Sequence, residues 1–440
     1  MRSEQTADPR RSMQVALGPI AALRGLLARP LASYYLLLAS ASLLIMIGLV
    51  MVFSATNVTG IGRGNAFADV VQQTTWAGVG LVAFWVAQRL PIRVWKRLGG
   101  PLLVVSFLLL VMLAVVPDLQ LGQFRTIEGI WIEAGPLHMQ PSEIAKIALV
   151  LWGAVILVRK GRRIVHVPEL AMPLFPVAAV LFILVGAADL GTMLCLLLIF
   201  LALLYVAGVR FRVFGAILGV GLVGVVLLTL MEPYRLTRLM AFVDPTADPH
   251  AAGYQPVQGL YAVAGGGWFG VGLGESRQKW AYLPEAHNDF IFAVIAEELG
   301  VVGSAVVLGL LAVFAYSGLR IARRVDRPFA RLTAAGCTIW LVGQALINIA
   351  AVVGLLPVTG LPLPFISAGG SALVVAMGVV GLLAMLARSE PAAARALHAR
   401  PPSRWAQILW APLPPYPRDR RAKTTTPAKA AKAGAGGGRR

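Results

Sequence analysis

Charged residues are scarce in this chain of 440 residues: Asp, Glu, Lys and Arg make up 13% of it, whereas 58% of the residues are hydrophobic. A water-soluble protein of this composition would have too little polar surface to cover its core. The composition therefore excludes an ordinary soluble enzyme and predicts a polytopic membrane protein. Cysteine is scarcer still. Cys195 and Cys337 both stand in apolar runs, which excludes a disulfide framework and a cysteine-based zinc site.

Acidic residues are also few, 20 against 39 Lys and Arg, so the formal net charge is +19. An excess of that size is typical of nucleic-acid-binding proteins, but most of these cations stand in short clusters between apolar runs. Assigned to one side of a membrane, the clusters follow the positive-inside rule with both termini cytoplasmic. The net charge therefore indicates membrane topology, and no nucleic-acid partner is predicted.

Apolar windows of about 20 residues, the length that crosses a bilayer core as a helix, recur along the chain. We predict ten spans, at approximately 34–54, 71–88, 100–117, 141–158, 171–187, 189–207, 213–231, 288–319, 332–352 and 370–387. The predicted fold class is all-α, a polytopic integral membrane protein with ten transmembrane helices. The membrane domain covers 34–388 and contains a large extracytoplasmic loop at 232–287. The segment 1–33 is predicted to be a cytoplasmic tail, and the basic segment 389–440 a disordered cytoplasmic tail.

Charged side chains within or beside the spans are functional candidates, because a charge at the centre of a spanning helix costs about 2.5–3.5 kcal/mol on insertion scales. Gln140 and Glu143 stand at the start of the fourth span, where Glu143 could serve only as a helix cap. Lys146 follows on the same helical face and needs a partner. Three partners stay open: Glu143, a substrate phosphate, or one of Glu297 and Glu298 in the eighth span.

Further acidic residues stand where spans begin. Asp189 lies at the short turn between the fifth and sixth spans, where it could cap the sixth helix or act directly in catalysis. Glu285, His287 and Asp289 stand at the mouth of the eighth span. Their alternating spacing supports a metal site only weakly, and no metal site is predicted.

A proline-rich segment at 353–369 precedes the tenth span. Proline cannot continue a helix and glycine permits tight backbone conformations, so we predict an ordered turn that is partly embedded in the membrane. Ser367, Gly369 and Gly370, at the end of this turn, are candidate structural residues of a cavity.

Four motifs together resemble those of the SEDS family of bacterial cell-wall polymerases. They are Gln-Pro-Ser-Glu-Ile-Ala-Lys at 140–146, Asp-Leu-Gly-Thr at 189–192, Gln-Lys-Trp-Ala-Tyr-Leu-Pro-Glu-Ala-His-Asn-Asp-Phe-Ile-Phe-Ala at 278–293, and Leu-Pro-Phe-Ile-Ser-Ala-Gly-Gly-Ser at 363–371. The resemblance runs in order from about residue 34 to 388 and includes the expected ten spans. Within the family, the sequence around Trp280 is closer to the division-type members than to the elongation-type members.

The resemblance implies a peptidoglycan glycosyltransferase that polymerises lipid II into glycan strands at the outer face of the bacterial cytoplasmic membrane, at the division septum. The 4-hydroxyl of one disaccharide would attack C1 of another and expel undecaprenyl pyrophosphate. This chemistry needs a carboxylate to remove the hydroxyl proton and a positive environment for the leaving group. Asp289 matches the family's essential aspartate and is the implied general base.

Few cations on the outer side could contact the pyrophosphate: Arg63, Arg125, Lys146, Arg235, Arg238, Arg277 and Lys279. The resemblance favours Lys146 first, and then Lys279 and Arg277. Arg235 and Arg238 can be explained as residues at a helix end that extend their charge to the membrane surface.

Glu143, Glu285 and His287 complete the candidate substrate-binding residues that the resemblance implies. The sequence departs from the family pattern at Ile130, where family members often have an arginine directly before Trp-Ile. Arg125, five residues upstream, is the candidate replacement. No cofactor is predicted, and a divalent cation associated with the substrate pyrophosphate is left open.

Two other classes of function stay open at this point. A flippase for lipid-linked precursors would also need charged groups along a hydrated path between helices, and broken helices near the membrane midplane would favour it. A non-catalytic division scaffold would use its tails to recruit other division proteins. The resemblance favours the polymerase, with lipid II as substrate and a class B penicillin-binding protein, the septal transpeptidase, as main partner.

Overall fold

The computed structural model describes residues 25, 27–62, 67–127, 129–135, 137–161, 167–245, 253–280 and 282–417. Most of the predicted N-terminal tail, part of the predicted outer loop and residues 418–440 therefore lie outside the described residues. The α-helices in the described part of the chain are α1 (Ala32–Gly62), α2 (Ala68–Arg89), α3 (Ile92–Val115), α4 (Pro141–Lys160), α5 (Val167–Ala188), α6 (Leu190–Ala207), α7 (Phe211–Met231), α8 (Pro233–Val243), α9 (Tyr254–Gly265), α10 (Ile291–Arg324), α11 (Pro328–Val352), α12 (Gly370–Arg388), α13 (Pro391–Ala399) and α14 (Arg404–Leu409). Ten of them, α1 to α7 and α10 to α12, are long and apolar enough to span a membrane. This confirms the predicted number of spans.

The all-α fold class is confirmed, and the strands in the described residues form one small antiparallel sheet between α3 and α4. Its strands are β1 (Gln120–Leu121), β2 (Phe124–Ile127), β3 (Trp131–Ala134) and β4 (Leu137–Met139), and each pairs with the next along the chain. The buried Thr126 attaches the sheet to the end of α3. Its hydroxyl donates to the carbonyl of Val116 (3.0 Å) and accepts from the N–H of Leu119 (2.7 Å). The sheet fixes the outer chain that leads into α4.

Glycines permit close approach of backbone segments in the bundle. A Cβ added at Gly381 of α12 would lie 2.4 Å from the carbonyl oxygen of Phe84 in α2, and one added at Gly48 of α1 would lie 2.7 Å from that of Phe365. Small residues allow such approach of backbones in membrane bundles. At the periphery, Val213 is the one buried residue of α7, all of which is described. The remainder of α7 therefore faces the surroundings of the bundle.

The helix α10 is broken at Gly300. This residue has φ 66° and ψ −162°, a conformation that is essentially restricted to glycine. The glycine-rich segment 266–272 crosses the helix at the break, and four main-chain hydrogen bonds of 2.9–3.1 Å join it to residues 297–302. These bonds satisfy backbone groups that the break would otherwise leave unpaired inside the membrane.

Residues 389–417 are ordered, contrary to the prediction of a disordered tail from residue 389, whereas the rest of that predicted tail lies outside the described residues. The indole N–H of Trp410 donates to the hydroxyl of Tyr34 in α1 (2.6 Å), and that of Trp85 in α2 donates to the carbonyl of Leu409 (2.6 Å). The composition predicts disorder because Pro, Ala and Gly offer little apolar surface to bury. The observed attachment instead uses main-chain carbonyls and a few aromatic rings.

Candidate active site

Asp289 lies two residues before α10 and is buried, with 7% exposure. The preceding chain reverses at Glu285, which has φ 53°. The N–H groups of Asn288 and Phe290 both donate to the carbonyl of Glu285, at 3.0 and 3.3 Å. This tight turn leaves Glu285 exposed and brings Asp289 inside the bundle.

The backbone at Asp289 is held from α11. The side-chain amide of Asn348 donates to the carbonyl oxygen of Asp289 (2.6 Å) and to that of Leu361 (2.7 Å). Asn348 itself is buried, with 2% exposure. One buried amide therefore joins the proline-rich turn to the residue that the resemblance makes the general base.

The predicted proline-rich turn before α12 is ordered. The hydroxyl of Ser367 donates to the carbonyl of Asn288 (2.6 Å) and accepts from a main-chain N–H four residues earlier (2.7 Å). Gly370, the first residue of α12, lies against α2, and a Cβ there would come within 2.6 Å of the Trp76 ring. The turn therefore supports the residue directly before Asp289 and meets α2 at a position where only glycine fits.

The surroundings of Asp289 disfavour its ionised form. Burial raises the pKa of Asp289 to about 6. Its own main-chain N–H and the guanidinium of Arg238 act to lower the pKa, whereas the carboxylate of Glu285 raises it. Oδ1 is buried and has no hydrogen-bond partner within the described part of the chain. A carboxylate with these properties is suited to accept a proton near neutral pH.

Lys146 is fully buried in α4 and pairs with Glu143, with 2.6 Å between Nζ and Oε1. It also donates to Oε1 of Gln344 in α11 (3.0 Å) and lies 5.3 Å from the ring centroid of Trp340. Of the three partners left open by the sequence, Glu143 is the one observed. The amide of Gln344 continues the network by donating to the carbonyl of Pro362 (2.9 Å).

The predicted pair between Lys146 and either Glu297 or Glu298 is wrong. Glu298 accepts from the hydroxyl of Ser54 in α1 at 2.6 and 2.7 Å, and its Oε1 lies 3.6 Å from Nζ of Lys279. The sequence suggests Lys146 as the partner of these glutamates only because it is a cation at a similar depth in the membrane. The loop before α10 instead folds back and carries Lys279 to the buried carboxylate.

Glu297 anchors the same loop. Its carboxylate accepts from the hydroxyl of Ser276 (2.5 Å) and from the main-chain N–H of Arg277 (3.0 Å). Lys279 is buried and also donates to the carbonyl of Gly274 (2.5 Å). The side chain of Arg277 is exposed, so of the two loop cations it is the one open to a ligand.

Two cavities flank the N-terminus of α4. The smaller, of about 20 Å³, is lined by residues that include Glu143, Gln344, Ser367 and Gly369. The larger, of about 450 Å³, lies between α3, the sheet, α4 and α5, and its lining includes Ile130, Gln140, Ser142, Asp189 and Glu232. The start of α4, where the first of the four motifs lies, therefore contributes side chains to both cavities.

Asp189 caps α6 while it lines the larger cavity. It accepts from the N–H of Thr192 (3.0 Å) and from the hydroxyl of the same residue (2.6 Å). The amide of Gln140 approaches its carboxylate at 3.5 Å. The capping alternative is thus observed, and the contact with Gln140 joins two of the motifs across the cavity.

A family model described as a cell cycle protein, for FtsW, RodA and SpoVE, matches residues 34–391. The chain belongs to this family. The resemblance drawn from the four motifs is therefore confirmed. Mycobacterium tuberculosis has a probable peptidoglycan glycosyltransferase FtsW that is 41% identical over 393 residues, which cover 89% of this chain and 74% of the relative. The stage V sporulation protein E of Bacillus subtilis is 37% identical over 348 residues, which cover 79% of this chain and 94% of the relative.

Solved structures of family members have the same architecture. One match is a chain of a peptidoglycan synthase complex that coordinates polymerization and crosslinking. It has a TM-score of 0.65 and 28% identity, over 80% of this chain and 96% of that chain. The rod shape determining protein RodA of Thermus thermophilus matches with a TM-score of 0.59 and 27% identity, over 80% of this chain and 96% of that chain. The identity to FtsW sequences is higher than to RodA, in agreement with the division-type motif.

Arg125 does not occupy the place of the arginine that family members often have where this chain has Ile130. Ile130 lines the larger cavity, whereas Arg125 is on β2, is 57% exposed in its side chain and pairs with Glu133. Arg125 is the main cause of a lowered pKa of Glu133, which burial opposes and His138 supports. Arg125 is therefore occupied on the outer face of the sheet and is not among the residues that line the cavity.

His287 and Glu285 remain near Asp289 without forming a dyad with it. The carbonyl of His287 accepts from the N–H of Ala368 (2.9 Å), which adds another bond between this loop and the proline-rich turn. The amide of Asn288 approaches the Glu285 carboxylate at 3.5 Å. Across the described ranges, no group of three His, Cys, Asp or Glu side chains is arranged to hold a metal ion.

Three residues of the site escaped the sequence argument. Gln344 and Asn348 are spaced by four residues in α11, so they share one face of an otherwise apolar span, a signal that could have found them. Arg238 was explained as a helix-end residue, but it lies near enough to Asp289 to lower its pKa. That proximity depends on the fold of α8 against the outer loops and has no local signal in the sequence.

Proposed function

We propose that the chain is a peptidoglycan glycosyltransferase that polymerises lipid II at the outer face of the cytoplasmic membrane during septal cell-wall synthesis. The observation that carries the proposal is Asp289, a buried carboxylate with a pKa raised toward neutrality, a free Oδ1 and a backbone held by Asn348. Membership of a family whose relatives are named peptidoglycan glycosyltransferases supports the substrate class.

In the proposed reaction, Asp289 removes the proton from the 4-hydroxyl of the acceptor disaccharide. The hydroxyl oxygen forms a bond to C1 of the donor sugar, while the bond from C1 to the phosphate oxygen breaks. The electron pair of that bond leaves with undecaprenyl pyrophosphate, and the proton stays on Asp289 until water removes it. A base with a pKa near the working pH serves both steps.

Among the candidate cations, we favour Arg238 and Arg277 for direct contact with the pyrophosphate. Arg238 is half-buried and its charge acts to lower the pKa of Asp289, and Arg277 is exposed. Lys146 and Lys279 are both paired with buried carboxylates, and moving either cation to a ligand would leave a buried charge uncompensated. We therefore assign Lys146 and Lys279 to positioning the elements that surround the substrate.

The proposed setting follows from charge and from the relatives. The basic clusters between spans favour both termini on the cytoplasmic side, which puts Asp289 at the outer face. The similarity to a chain of a peptidoglycan synthase complex supports a partner of the class B penicillin-binding protein type. We place this pair at the division septum, together with other division proteins, because the most similar relatives include many named FtsW.

Conversion of labelled lipid II into glycan strands tests the proposal. The purified chain, in complex with its transpeptidase, should form strands, and the Asp289→Asn form should not. Glu275→Gln serves as the matched control because Glu275 is an exposed acid in the same outer region of the chain. Normal strand formation by Asp289→Asn would overturn the assignment of the base.

One observation bears on the flippase alternative. Gly300 breaks α10 about 14 Å from its first residue, at 1.5 Å per residue, and a break at such depth is a feature of transporters. The backbone groups at the break are bonded to the segment 266–272, so they do not line an open path. Translocation of dye-labelled lipid II in vesicles without strand formation would favour the flippase over the polymerase.

A further inference from the structure

The short helix α14 (Arg404–Leu409) lies against the last turn of α2. Three successive carbonyls at its C-terminal end accept from α2 side chains: that of Ile408 from Arg89, that of Leu409 from Trp85 (2.6 Å) and that of Trp410 from Gln88 (3.1 Å). The last carbonyls of a helix have no partner within it. Here α2 supplies those partners, which fixes α14 in position and in height relative to the spanning helix.

The height of α14 corresponds to the edge of the bilayer. The helix α2 is a membrane span that ends at Arg89, and Trp85 stands one turn earlier with 41% of its surface exposed. Trp is characteristic of the boundary between lipid headgroups and acyl chains, and Arg of the headgroup side of that boundary. Since α14 is bonded to both Trp85 and Arg89, it lies at this boundary.

One face of α14 is apolar and uncovered. Trp405, Ile408 and Leu409 are 72%, 57% and 64% exposed, and their spacing of three and four residues puts them on the same side of the helix. In α2, Val82 and Val86 are within one turn of Trp85 and are likewise exposed. Because Trp85 is bonded to the carbonyl of Leu409, we expect the apolar face of α14 and this part of α2 to meet the same lipid.

We propose that α14 is an interfacial helix whose Trp405, Ile408 and Leu409 insert at the boundary between headgroups and acyl chains of anionic lipids in the cytoplasmic leaflet. The leaflet follows from the proposed orientation, but the insertion itself does not depend on it. Charge selects anionic lipid, because the described residues 391–417 contain three arginines, Arg395, Arg400 and Arg404, and no acid. Apolar insertion next to basic residues is the usual arrangement of interfacial helices.

A spin-label depth measurement tests this on the full chain. Cys195 and Cys337 are buried, so a nitroxide can be attached to one engineered cysteine at a time. In nanodiscs of phosphatidylethanolamine and phosphatidylglycerol, labels at Ile408→Cys and Leu409→Cys should collide preferentially with oxygen, which concentrates in the acyl region. A label at Ala399→Cys, an exposed position at the end of α13, is the control and should collide preferentially with a water-soluble nickel chelate.

Each other result overturns a part of the proposal. Equal access of the nickel chelate to positions 408, 409 and 399 would show that the face stands in water. Protection of 408 and 409 from both reagents would show that another part of the chain covers it. When phosphatidylcholine replaces phosphatidylglycerol, the labels should become shallower, and an unchanged depth would overturn the preference for anionic lipid. None of these readouts depends on glycan synthesis, so failure here leaves the proposed function standing.

Discussion

The side-chain amide of Asn348 donates a 2.6 Å hydrogen bond to the main-chain carbonyl of Asp289, and the same nitrogen donates to Leu361. The proposed base thus takes its backbone position from a residue of α11 that lies 59 residues further along the chain. Gln344, one turn earlier on that helix, bonds Lys146 and the carbonyl of Pro362. One polar face of α11 therefore connects the proposed base to the buried ion pair in α4.

Asn348→Ala should lower the rate of strand formation about 10- to 100-fold. Because the change also removes two buried hydrogen bonds, it should lower the unfolding temperature by a few degrees. Displacement of a catalytic group by about 1 Å can cost 100-fold in rate, and this change frees the carbonyl of Asp289 from its anchor. Single-turnover kinetics with labelled lipid II in the transpeptidase complex would measure the effect. Leu346→Ala, at an exposed position of the same helix, should keep the rate of the unmodified chain. Equal rates for the two variants would contradict the positioning role.

The rate should fall as the pH falls through about 6, because only the ionised form of Asp289 can accept a proton and burial raises its pKa to about 6. Glu285→Gln removes a negative neighbour, so the pKa should drop and the acid limb of the kcat/KM profile should move to lower pH. Arg238→Gln removes a positive neighbour and should move it to higher pH. Shifts in the same direction, or an acid limb near pH 4, would argue against Asp289 as the titrating base.

The buried pair of Glu143 and Lys146 should show strong coupling in a double-mutant cycle. Glu143→Gln or Lys146→Met alone leaves one buried charge without its partner, and each should cost about 3–5 kcal/mol in the free energy of unfolding. The double variant should lose less than the sum, with a coupling of about 1–3 kcal/mol. Unfolding by sodium dodecyl sulfate in mixed micelles gives these values. Strict additivity would mean that the pair is broken in the membrane.

The sequence predicted the ten spans and singled out charged residues near them because both are expressed by local pattern. A run of about 20 apolar residues is sufficient to define a span, and a charged residue such as Lys146 is conspicuous within one. The cap by Asp189 was open to prediction for the same reason, since a cap depends on residues three positions apart. Motif resemblance supplied the role of Asp289, which no local pattern contains.

The sequence did not predict which charges pair, because that depends on how loops fold over helices. Glu298 pairs with Lys279, which the loop before α10 brings back onto that helix, next to the break at Gly300. A break of this kind leaves no periodic signal beyond one glycine in an apolar run. The order in residues 389–417 was not predicted for a related reason. Their attachment to α2 uses main-chain carbonyls, which every residue has, so it leaves no signal in the sequence.

Gly300→Ala should destabilise the protein by several kcal/mol, whereas Gly309→Ala in the same helix should be neutral or slightly stabilising. A Cβ at Gly300 would lie 2.4 Å from the backbone nitrogen of Gly270, in a conformation that other residues avoid, but nothing lies within 4 Å of a Cβ at Gly309. Alanine is otherwise favoured over glycine by about 0.5–1 kcal/mol in a helix. Thermal unfolding in detergent compares the two, and equal stability would mean that the break is not required.

Truncation should test what the contacts between α14 and α2 contribute to stability. A chain that ends at Pro417 retains every contact described between α14 and α2 and should unfold at the temperature of the full chain. A chain that ends at Arg400 leaves Trp85, Gln88 and Arg89 without their carbonyl acceptors. Hydrogen bonds of this kind contribute about 0.5–1.5 kcal/mol each, so this chain should unfold several degrees lower in detergent. Equal unfolding temperatures for the two truncations would show that α14 adds nothing to the stability of the bundle, whatever its contact with lipid.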